Sequence, residues 1–346
     1  MSEGKNSADR KDEHLRLARG ASAQSAVTAG FDDVRLDHCA LPECDLDEVD
    51  LRVDFLDHQL SAPLFIGAMT GGTPRSAAIN RALAQIANTE GIGLAVGSQR
   101  ASLENGISQA ELRDIAPNVP LIGNLGGVQL ARAGGLDLAK RAVDDLQADA
   151  LAIHLNPLQE AVQPEGETDW RNVASAIEKA VSSLPCKVIV KEVGAGISVD
   201  VARRLFECGV WAVDIAGLGG TNWTRIEALR RQQSDVFEPF LDWGLPTATA
   251  LYDVMQVMPD AVVLASGGVR HGLDAAKALW LGATAVSLAG PVLRAVVTDD
   301  DDAPDITAGR AAIADWIAQM RLTLFLTGAP TIADFRQVQG RVGRGV

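Results

Sequence analysis

The sequence predicts a closed (β/α)8 TIM barrel with an N-terminal extension and an insertion after strand six. From about residue 60 onward, eight short runs of β-branched and small apolar residues alternate with stretches in which apolar residues recur every three or four positions. No second cluster of strands occurs elsewhere. Aromatic residues make up only 4% of a chain that is 47% hydrophobic, which is typical of parallel strands packed between helices.

The eight predicted strands follow one another at regular spacing. In chain order they are PLFIGAM, GLAVGS, PLIGNLG, ALAIHLN, KVIVKEV, AVDIAG, AVVLASGG and AVSLAG. The stretches between them, such as RSAAINRALAQIANTEG, have helical periodicity, and this one stops at a glycine. An open doubly wound sheet is the alternative. No strand is followed by GxGxxG or by GxxxxGK(S/T), so neither a dinucleotide fingerprint nor a Walker loop supports that alternative.

Three segments lie outside the repeats. Residues 1–60 form the predicted N-terminal extension, which contributes to a substrate site and caps the barrel domain of residues 61–346. Its first half is polar and charged, and residues 31–60 are expected to form a short extended layer. The insertion TRIEALRRQQSDVFEPFLDWGLPTATA follows the sixth strand, and the acidic run DDDDAPD (299–305) is expected to be a solvated loop.

Charge and cysteine content exclude several classes of protein. The chain has 31 Lys and Arg against 45 Asp and Glu, a net charge of −14, which disfavours nucleic acid or an anionic membrane as a partner. Cys39, Cys44, Cys186 and Cys208 have no metal-binding or paired spacing and are expected to be reduced thiols. The start MSEGKNSADRKDEH lacks an apolar signal core, and no 18 apolar residues run together, so a cytoplasmic protein is expected.

The predicted carboxyl ends of the strands carry most of the chemically useful residues. In barrels of this kind the active site lies at these ends. In this sequence they read GAMTGGT, GSQR, GNLGG, HLNPLQE, Lys191, GLGGTNW, SGGVRHG and AGP. Almost every end is rich in glycine and carries a polar group. A purely structural barrel would not need this at one end only, so a ligand site is predicted there.

The loops after strands seven and eight are candidates for binding a phosphate. The segments SGGVRHG and AGPVLRA supply glycines that let the backbone approach an anion, with Arg270 as a nearby charge. Two tight turns are the structural alternative. Lys191 lies inside a barrel strand, where its charge needs a partner. That partner is either a carboxylate or a reduced flavin ring, which a cation near N1 stabilises.

FMN would account for both the glycine-rich loops and Lys191, because its phosphate would bind the loops after strands seven and eight while its ring contacts strands one to five. Thr70, Ser98 and Asn124 could then bind the polar edge of the ring. Arg10, Lys11 and Arg100 are left over and are either solvated charges or ligands of a second phosphate. Glu160 supplies the single carboxylate that Mg²⁺ often takes when water and substrate phosphate complete its shell. His154 alone would more often be a core histidine.

Nine motifs resemble those of type 2 isopentenyl-diphosphate isomerase. They are RKDEH, GAMTGGT, GSQRA, HLNPLQE, VIVKEVGAGIS, GGTNW, WGLPTA, ASGGVRHG and AVSLAGPVL. The resemblance extends from about residue 9 to about residue 328, and HLNPLQE together with RKDEH is its most specific part. It implies a flavoenzyme that interconverts isopentenyl diphosphate and dimethylallyl diphosphate without net redox change. The flavin must be reduced, usually by NADPH.

The resemblance also implies a role for individual residues. FMN would be held by Met69, Thr70, Ser98, Asn124, Lys191, Thr221, Gly268, Arg270, Ala289 and Gly290. The diphosphate would be held by Arg10, Lys11, Ser98, Arg100 and His154. Gln159 would lie near the isoprenyl carbons, which makes Gln159 and His154 the candidate catalytic residues. Glu160 would bind Mg²⁺. In the family, reduced FMN is thought to supply the acid–base group through N5, and no carboxylate pair at the strand ends replaces it.

The sequence departs from the family pattern in one loop and leaves two rival functions open. GLGGTNW lacks the Ser or Thr expected near Ala216 and the Arg expected near Leu218. One rival is another FMN barrel, such as a 2-hydroxy-acid oxidase with His271 as its base. The other is a non-catalytic barrel that binds a phosphorylated ligand. Apolar helices such as IADWIAQMRLTLFL suggest buried contacts, and the family implies a homo-oligomer, a tetramer or an octamer.

Overall fold

Eight parallel strands close into a barrel in the computed structural model, which describes residues 13–231, 236–297 and 303–343. Strands adjacent in the sequence pair with each other, and the last pairs with the first. The closed order confirms the predicted (β/α)8 barrel and rules out the open sheet. The strands are β1 Leu64–Ile66, β2 Gly93–Ala95, β3 Leu121–Gly126, β4 Ala150–His154, β5 Lys187–Lys191, β6 Ala212–Asp214, β7 Val263–Ala265 and β8 Ala285–Leu288.

Helices surround the barrel and begin and end where the local sequence favours it. In the first outer helix, Pro74–Glu90, the Thr73 side chain accepts a hydrogen bond from the Ser76 backbone N–H, and Gly91 ends the helix at φ 67°. Residues 13–19 are also helical. The other α-helices are Arg100–Glu104, Glu111–Ile115, Gly127–Ala131, Gly135–Leu146, Pro157–Val162, Val173–Ser183, Val199–Glu207, Trp223–Arg231, Thr247–Val257, Gly272–Trp280, Gly290–Val296, Ile306–Leu326 and Ile332–Phe335.

A β-hairpin fills the amino end of the barrel with apolar side chains. Strands Val53–Phe55 and His58–Leu60 pair antiparallel. Phe55 and Leu60 are buried in one cluster with inward-facing residues of the barrel strands, and the Phe55 ring stacks 6.1 Å from Phe65 of β1. Trp211, which precedes β6, packs on the same cluster. These side chains close the amino end of the barrel as an apolar core. Burial of each such side chain contributes about 2 kcal/mol.

The described part of the N-terminal extension before this hairpin runs along the loops that follow the barrel strands. The backbone N–H of Ser25 donates to the Gly220 carbonyl at 2.8 Å, and that of Asn222 donates to the Ala23 carbonyl at 2.7 Å. Residues 31–60 do not form one extended layer. They divide between the hairpin, 3-10 turns and strand Val34–Leu36, which pairs with Gly340–Val342.

The predictions about cysteines and apolar helices can be compared with the described part of the chain. All four cysteines are free thiols. Among the described residues, no helix combines the length and the apolar character needed to span a bilayer. Part of the acidic loop lies outside the described residues, as do Arg10 and Lys11.

Candidate active site

The carboxyl ends of the eight strands converge on a cavity of about 420 Å³, large enough for a small-molecule ligand. Every predicted site residue that the structure describes lines this cavity. They are Met69, Thr70, Ser98, Arg100, Asn124, His154, Gln159, Glu160, Lys191, Thr221, Gly268, Arg270, Ala289 and Gly290. Strands far apart in the sequence therefore bring the predicted flavin residues and the described members of the predicted diphosphate set into one cavity.

Glycines after β6 and β7 let two loops pack backbone against backbone on one wall of the cavity. Gly268 has φ +69°, and a Cβ there would lie 2.5 Å from the carbonyl carbon of Gly219. At Gly267, with φ +89°, a Cβ would lie 2.2 Å from the Gly217 oxygen. The first role of these glycines is to allow the loops after β6 and β7 to pack closely together. The consequence is a cavity wall of main chain with few side chains in the way of an anion.

Two arginines stand beside this wall. Arg270 donates to Asp274 and to Asp32, each at 3.0 Å. These hydrogen bonds raise the pKa of Arg270 and, in return, hold that of Asp32 below its usual value. Arg294 lines the cavity near Gly290 and has no ion pair within the described residues. The sequence interpretation missed Arg294, although the motif AGPVLRA contains it.

Lys191 occupies the end of β5, in register with His154 of β4 on one side and with Asp214 of β6 on the other. Its Nζ donates to the backbone carbonyl of Glu192. Asp214 is buried and accepts from Ser266 Oγ at 2.6 Å. Burial raises the pKa of Asp214, and the nearby Lys191 opposes that rise. No carboxylate of the described chain forms an ion pair with Lys191, so the alternative of a simple salt bridge is not supported.

His154 is held by a hydrogen-bonded chain that reaches back to β2. Its Nδ1 lies 2.8 Å from Asn124 Oδ1, and the Asn124 backbone N–H donates to Gln99 Oε1 at 3.0 Å. Burial, together with the charge of Lys191, lowers the pKa of His154 to about 3. The imidazole is therefore neutral at physiological pH, with one ring nitrogen committed to Asn124.

The remaining motif residues are positioned by short contacts with their neighbours. Arg100 donates to Glu167 at 2.9 Å and lies 3.2 Å from Glu104. Glu160 accepts from the Asn156 side chain at 3.0 Å and from the Glu167 backbone N–H at 2.7 Å. Since a carboxylate has about four acceptor sites, Glu160 keeps capacity for a cation. Glu167 thus links the cationic side chain of Arg100 to Glu160, the candidate metal ligand.

A buried carboxylate that the sequence interpretation missed joins the N-terminal helix to the site. Glu227 is fully buried and accepts from Arg230 Nη1 at 2.6 Å, and its Oε1 lies 2.9 Å from His14 Nε2. Burial alone would raise the pKa of Glu227, but His14 and Arg230 outweigh it and the pKa falls. Gln159 Nε2 donates weakly to the same carboxylate at 3.4 Å, so the network ends at a candidate catalytic side chain.

His271 does not meet the requirement for a catalytic base. It lies outside the cavity lining, and its Nδ1 accepts from the Asp274 backbone N–H at 3.1 Å as the cap of helix Gly272–Trp280. A general base must reach its substrate within hydrogen-bonding distance. At the position where the family pattern predicts a hydroxyl, Ala216 lines the cavity with φ +42°, an unusual value for a residue other than glycine.

Within the described residues, no group of three or more His, Cys, Asp and Glu side chains could hold a metal by itself. A cation bound here would depend on Glu160 together with water and ligand oxygens, which is how Mg²⁺ commonly binds.

Several known proteins resemble this chain in sequence. The FMN-dependent dehydrogenase family model matches residues 137–339, more than half of the chain. Isopentenyl-diphosphate delta-isomerase of Stutzerimonas stutzeri (strain A1501) is 46% identical over 95% of this chain and 96% of its own. The corresponding protein of Halobacterium salinarum is 46% identical over 96% and 92%.

Solved structures show the same fold at low identity. A mandelate oxidase variant with an FMN adduct superposes with a TM-score of 0.65 at 19% identity, covering 96% of this chain and 92% of its own. Another mandelate oxidase variant reaches 0.68 at 18%, over 99% of this chain and 100% of its own. The oxidases support the barrel alone, whereas the sequence relatives are nearly full-length. The chain belongs to the isopentenyl-diphosphate delta-isomerase family.

Proposed function

We propose that this protein interconverts isopentenyl diphosphate and dimethylallyl diphosphate, with reduced FMN and Mg²⁺ bound in the cavity. One observation carries the proposal: His154, Gln159 and Glu160 of HLNPLQE share a single cavity with Lys191 and the glycine loops after β6 to β8. A site for a flavin alone would not need His154, Gln159 and Glu160. A site for a phosphate alone would not need Lys191 together with the glycine loops.

The cavity wall fits FMN on two independent grounds. The loops after β6 and β7 expose main chain because a Cβ at Gly268 would collide with Gly219. Arg294, which forms no ion pair with the part of the chain that the structure describes, lies nearby as a counter-charge for a phosphate. At the other side Lys191 offers N–H groups to a ring that becomes negatively charged on reduction. Met69, Thr70, Ser98, Asn124, Thr221, Arg270, Ala289 and Gly290 complete the proposed flavin set. NADPH is the proposed reductant.

The diphosphate would occupy the region between Arg100, His154 and Ser98. Arg100 is bound to Glu104 and Glu167, two carboxylates that an anionic ligand could replace. In a neutral His154 the proton on Nδ1 is donated to Asn124 Oδ1, so the ring can donate to a phosphate oxygen only after Nε2 takes up a second proton. Glu160 would bind Mg²⁺ that bridges to the diphosphate.

The N-terminal extension, residues 1–60, would contribute to this substrate site, while residues 61–346 form the barrel domain. His14 and Leu15 line the cavity. Arg10 and Lys11 remain proposed diphosphate ligands, and their positions lie outside the described residues.

Double-bond migration adds a proton at one carbon and removes a proton from another. Reduced FMN, when bound, would supply the acid–base group. The protein would fix the isoprenyl carbons: Gln159 is held by Asn156 at 3.1 Å and by Glu227 at 3.4 Å, and Trp223 adds an apolar wall. Such positioning can account for a large part of the barrier reduction. His154 would donate to the head group through Nε2 after taking up a second proton there, because its Nδ1–H already donates to Asn124 Oδ1.

An anaerobic assay tests this proposal. Purified protein is incubated with isopentenyl diphosphate, FMN, Mg²⁺ and NADPH, and dimethylallyl diphosphate is followed, with each component omitted in turn. We expect product only in the complete mixture. Turnover that persists without reduced flavin would refute the proposal. Oxidation of a 2-hydroxy acid without isomerisation would establish the oxidase rival, and FMN and pyrophosphate binding without any turnover would establish the non-catalytic barrel.

A further inference from the structure

The side chain of Glu192 binds the turn that follows β5. Its Oε2 accepts hydrogen bonds from the backbone N–H groups of residues 193–195 at 2.5–2.6 Å and from that of Gly196 at 3.3 Å. Glu192 is only 6% exposed. Four backbone donors thus converge on one oxygen away from solvent. The Gly196 N–H also donates to the Ala216 carbonyl at 3.1 Å. Because buried N–H groups without a partner cost about 1–3 kcal/mol each, the carboxylate stabilises the turn chiefly through the N–H groups of residues 193–195.

The same residue contacts Lys191 through its backbone. The Glu192 carbonyl accepts a hydrogen bond from Lys191 Nζ. An ammonium group has three N–H donors, so one bond to this carbonyl still leaves two donors for a ligand. Lys191, Val193 and Gly194 all line the cavity. The conformation of the turn therefore decides where the Lys191 charge lies within the cavity.

We propose that Glu192 is a positioning residue: its carboxylate fixes the turn of residues 193–196, and the turn presents the carbonyl that anchors Lys191 beside the flavin. The inference rests on the FMN part of the proposed function and uses none of its substrate chemistry. A cation near the ring stabilises the reduced flavin more than the oxidised one. Loss of the anchor therefore lowers the reduction potential of bound FMN.

The geometry separates this role from a general effect on folding. All four backbone donors use one oxygen, Oε2, so a glutamine can place its single oxygen at the same point. A leucine of similar size cannot accept any of the four bonds. Glu192→Gln should therefore preserve the turn, whereas Glu192→Leu should release it and Lys191 with it.

The test is an anaerobic spectroelectrochemical titration of FMN bound to the full-length protein. For Glu192→Leu we expect the affinity for reduced FMN, relative to oxidised FMN, to fall about tenfold, which lowers the two-electron midpoint potential by about 30 mV. Glu192→Gln should stay close to wild type. In a Lys191→Met background, Glu192→Leu should add no further shift, because the cation that it positions is gone.

Asp145→Leu is the matched control, since Asp145 also anchors a loop, by accepting from the Gln109 backbone N–H at 2.9 Å, but lies outside the cavity lining. Its potential should equal that of wild type. An unchanged potential in Glu192→Leu, or a full shift that persists without Lys191, would overturn the inference. If Glu192→Leu does not retain FMN, Glu192→Asp replaces it: a smaller shift of the same sign supports the inference and no shift overturns it.

Different results would refute the proposed function and the positioning role of Glu192. A wild-type protein that binds no FMN would refute the proposed function and this inference together. A wild-type holoprotein whose potential is insensitive to Glu192→Leu would refute only the positioning role.

Discussion

Replacing Glu227 by Gln should weaken both the fold and substrate binding, because this buried carboxylate joins the N-terminal helix to the cavity. Glu227 accepts from Arg230 Nη1 at 2.6 Å and lies 2.9 Å from His14 Nε2. The substitution removes the charge and turns one acceptor into a donor that faces cationic or N–H groups. It leaves the shape of the side chain almost unchanged, so cavity formation does not contribute.

The loss in the free energy of unfolding depends on which ion pairs Arg230 retains after the substitution. Breaking a buried ion pair costs about 3–5 kcal/mol when the remaining charge has no other partner. Arg230 keeps Glu13 at 3.2 Å and Glu165 at 3.7 Å, so the cost should be smaller. The loss then amounts to one or two charge-assisted hydrogen bonds, about 2–3 kcal/mol in the free energy of unfolding.

Urea unfolding followed by circular dichroism measures this change, and steady-state kinetics measure its effect on the site. The KM for isopentenyl diphosphate should rise about tenfold, equivalent to about 1.4 kcal/mol, since His14 and Gln159 both lose a partner. Glu111→Gln is the control: its ion pair with Arg81 is about half exposed and should change stability by less than about 0.5 kcal/mol. A Glu227→Gln protein as stable as this control would refute the reasoning.

Three further outcomes follow from the site. Gly268→Ala, at φ +69° and with its Cβ 2.5 Å from Gly219, should weaken FMN binding at least about tenfold, measured by quenching of flavin fluorescence; unchanged affinity would contradict the loop packing. Glu160→Gln should raise the Mg²⁺ concentration for half-maximal activity while FMN affinity stays constant, with the exposed Glu178→Gln as control; an unchanged Mg²⁺ requirement would exclude Glu160 as the ligand. The folded-state pKa of His154, about 3, lies below the unfolded value of about 6.5. Unfolding therefore takes up a proton between these values, and stability falls as pH drops below about 6.5, by up to about 1.4 kcal/mol per pH unit. His154→Gln should flatten this dependence in urea titrations from pH 7 to pH 5, and equal slopes in both proteins would show that another group is responsible.

The barrel could be predicted from the sequence because its strands are buried on both faces. Such strands read as continuous apolar runs, and in ALAIHLN the first polar residue marks where β4 leaves the core. The same reasoning located His154 and Lys191, since each follows an apolar run directly, and Gly268, which follows such a run after Ser266 and Gly267. Positions determined by the strand period need no knowledge of distant parts of the chain.

The contacts that position these residues could not be predicted in the same way. Glu227 lies in TRIEALRR, which the sequence identifies only as part of the insertion after strand six, and only the fold brings His14 against it. Glu192 follows Lys191 in the sequence, but nothing in KVIVKEV indicates that its carboxylate turns back onto residues 193–196. Residues 13–30, which read as a polar tail, are held by backbone hydrogen bonds to the loop after β6. Burial of a charged residue depends on its partner, which for Glu227 is distant in sequence and for Glu192 is a turn whose conformation the sequence does not reveal.

A protein with a net charge of −14 can still bind a diphosphate because local arginines are already in place, and two of them, Arg100 and Arg230, are held by carboxylates of differing exposure. Arg230 is 10% exposed and pairs with a fully buried Glu227, so an anion that bound Arg230 would have to take the arginine away from a carboxylate in the interior. Arg100 is 38% exposed, and Glu104 beside it is exposed, so this pair is stabilised by less than about 1 kcal/mol. A diphosphate can therefore displace the Glu104 contact at little cost while water solvates the released carboxylate. Arg100 is the cation available for exchange, and Arg230 is the one that keeps the N-terminal helix in place.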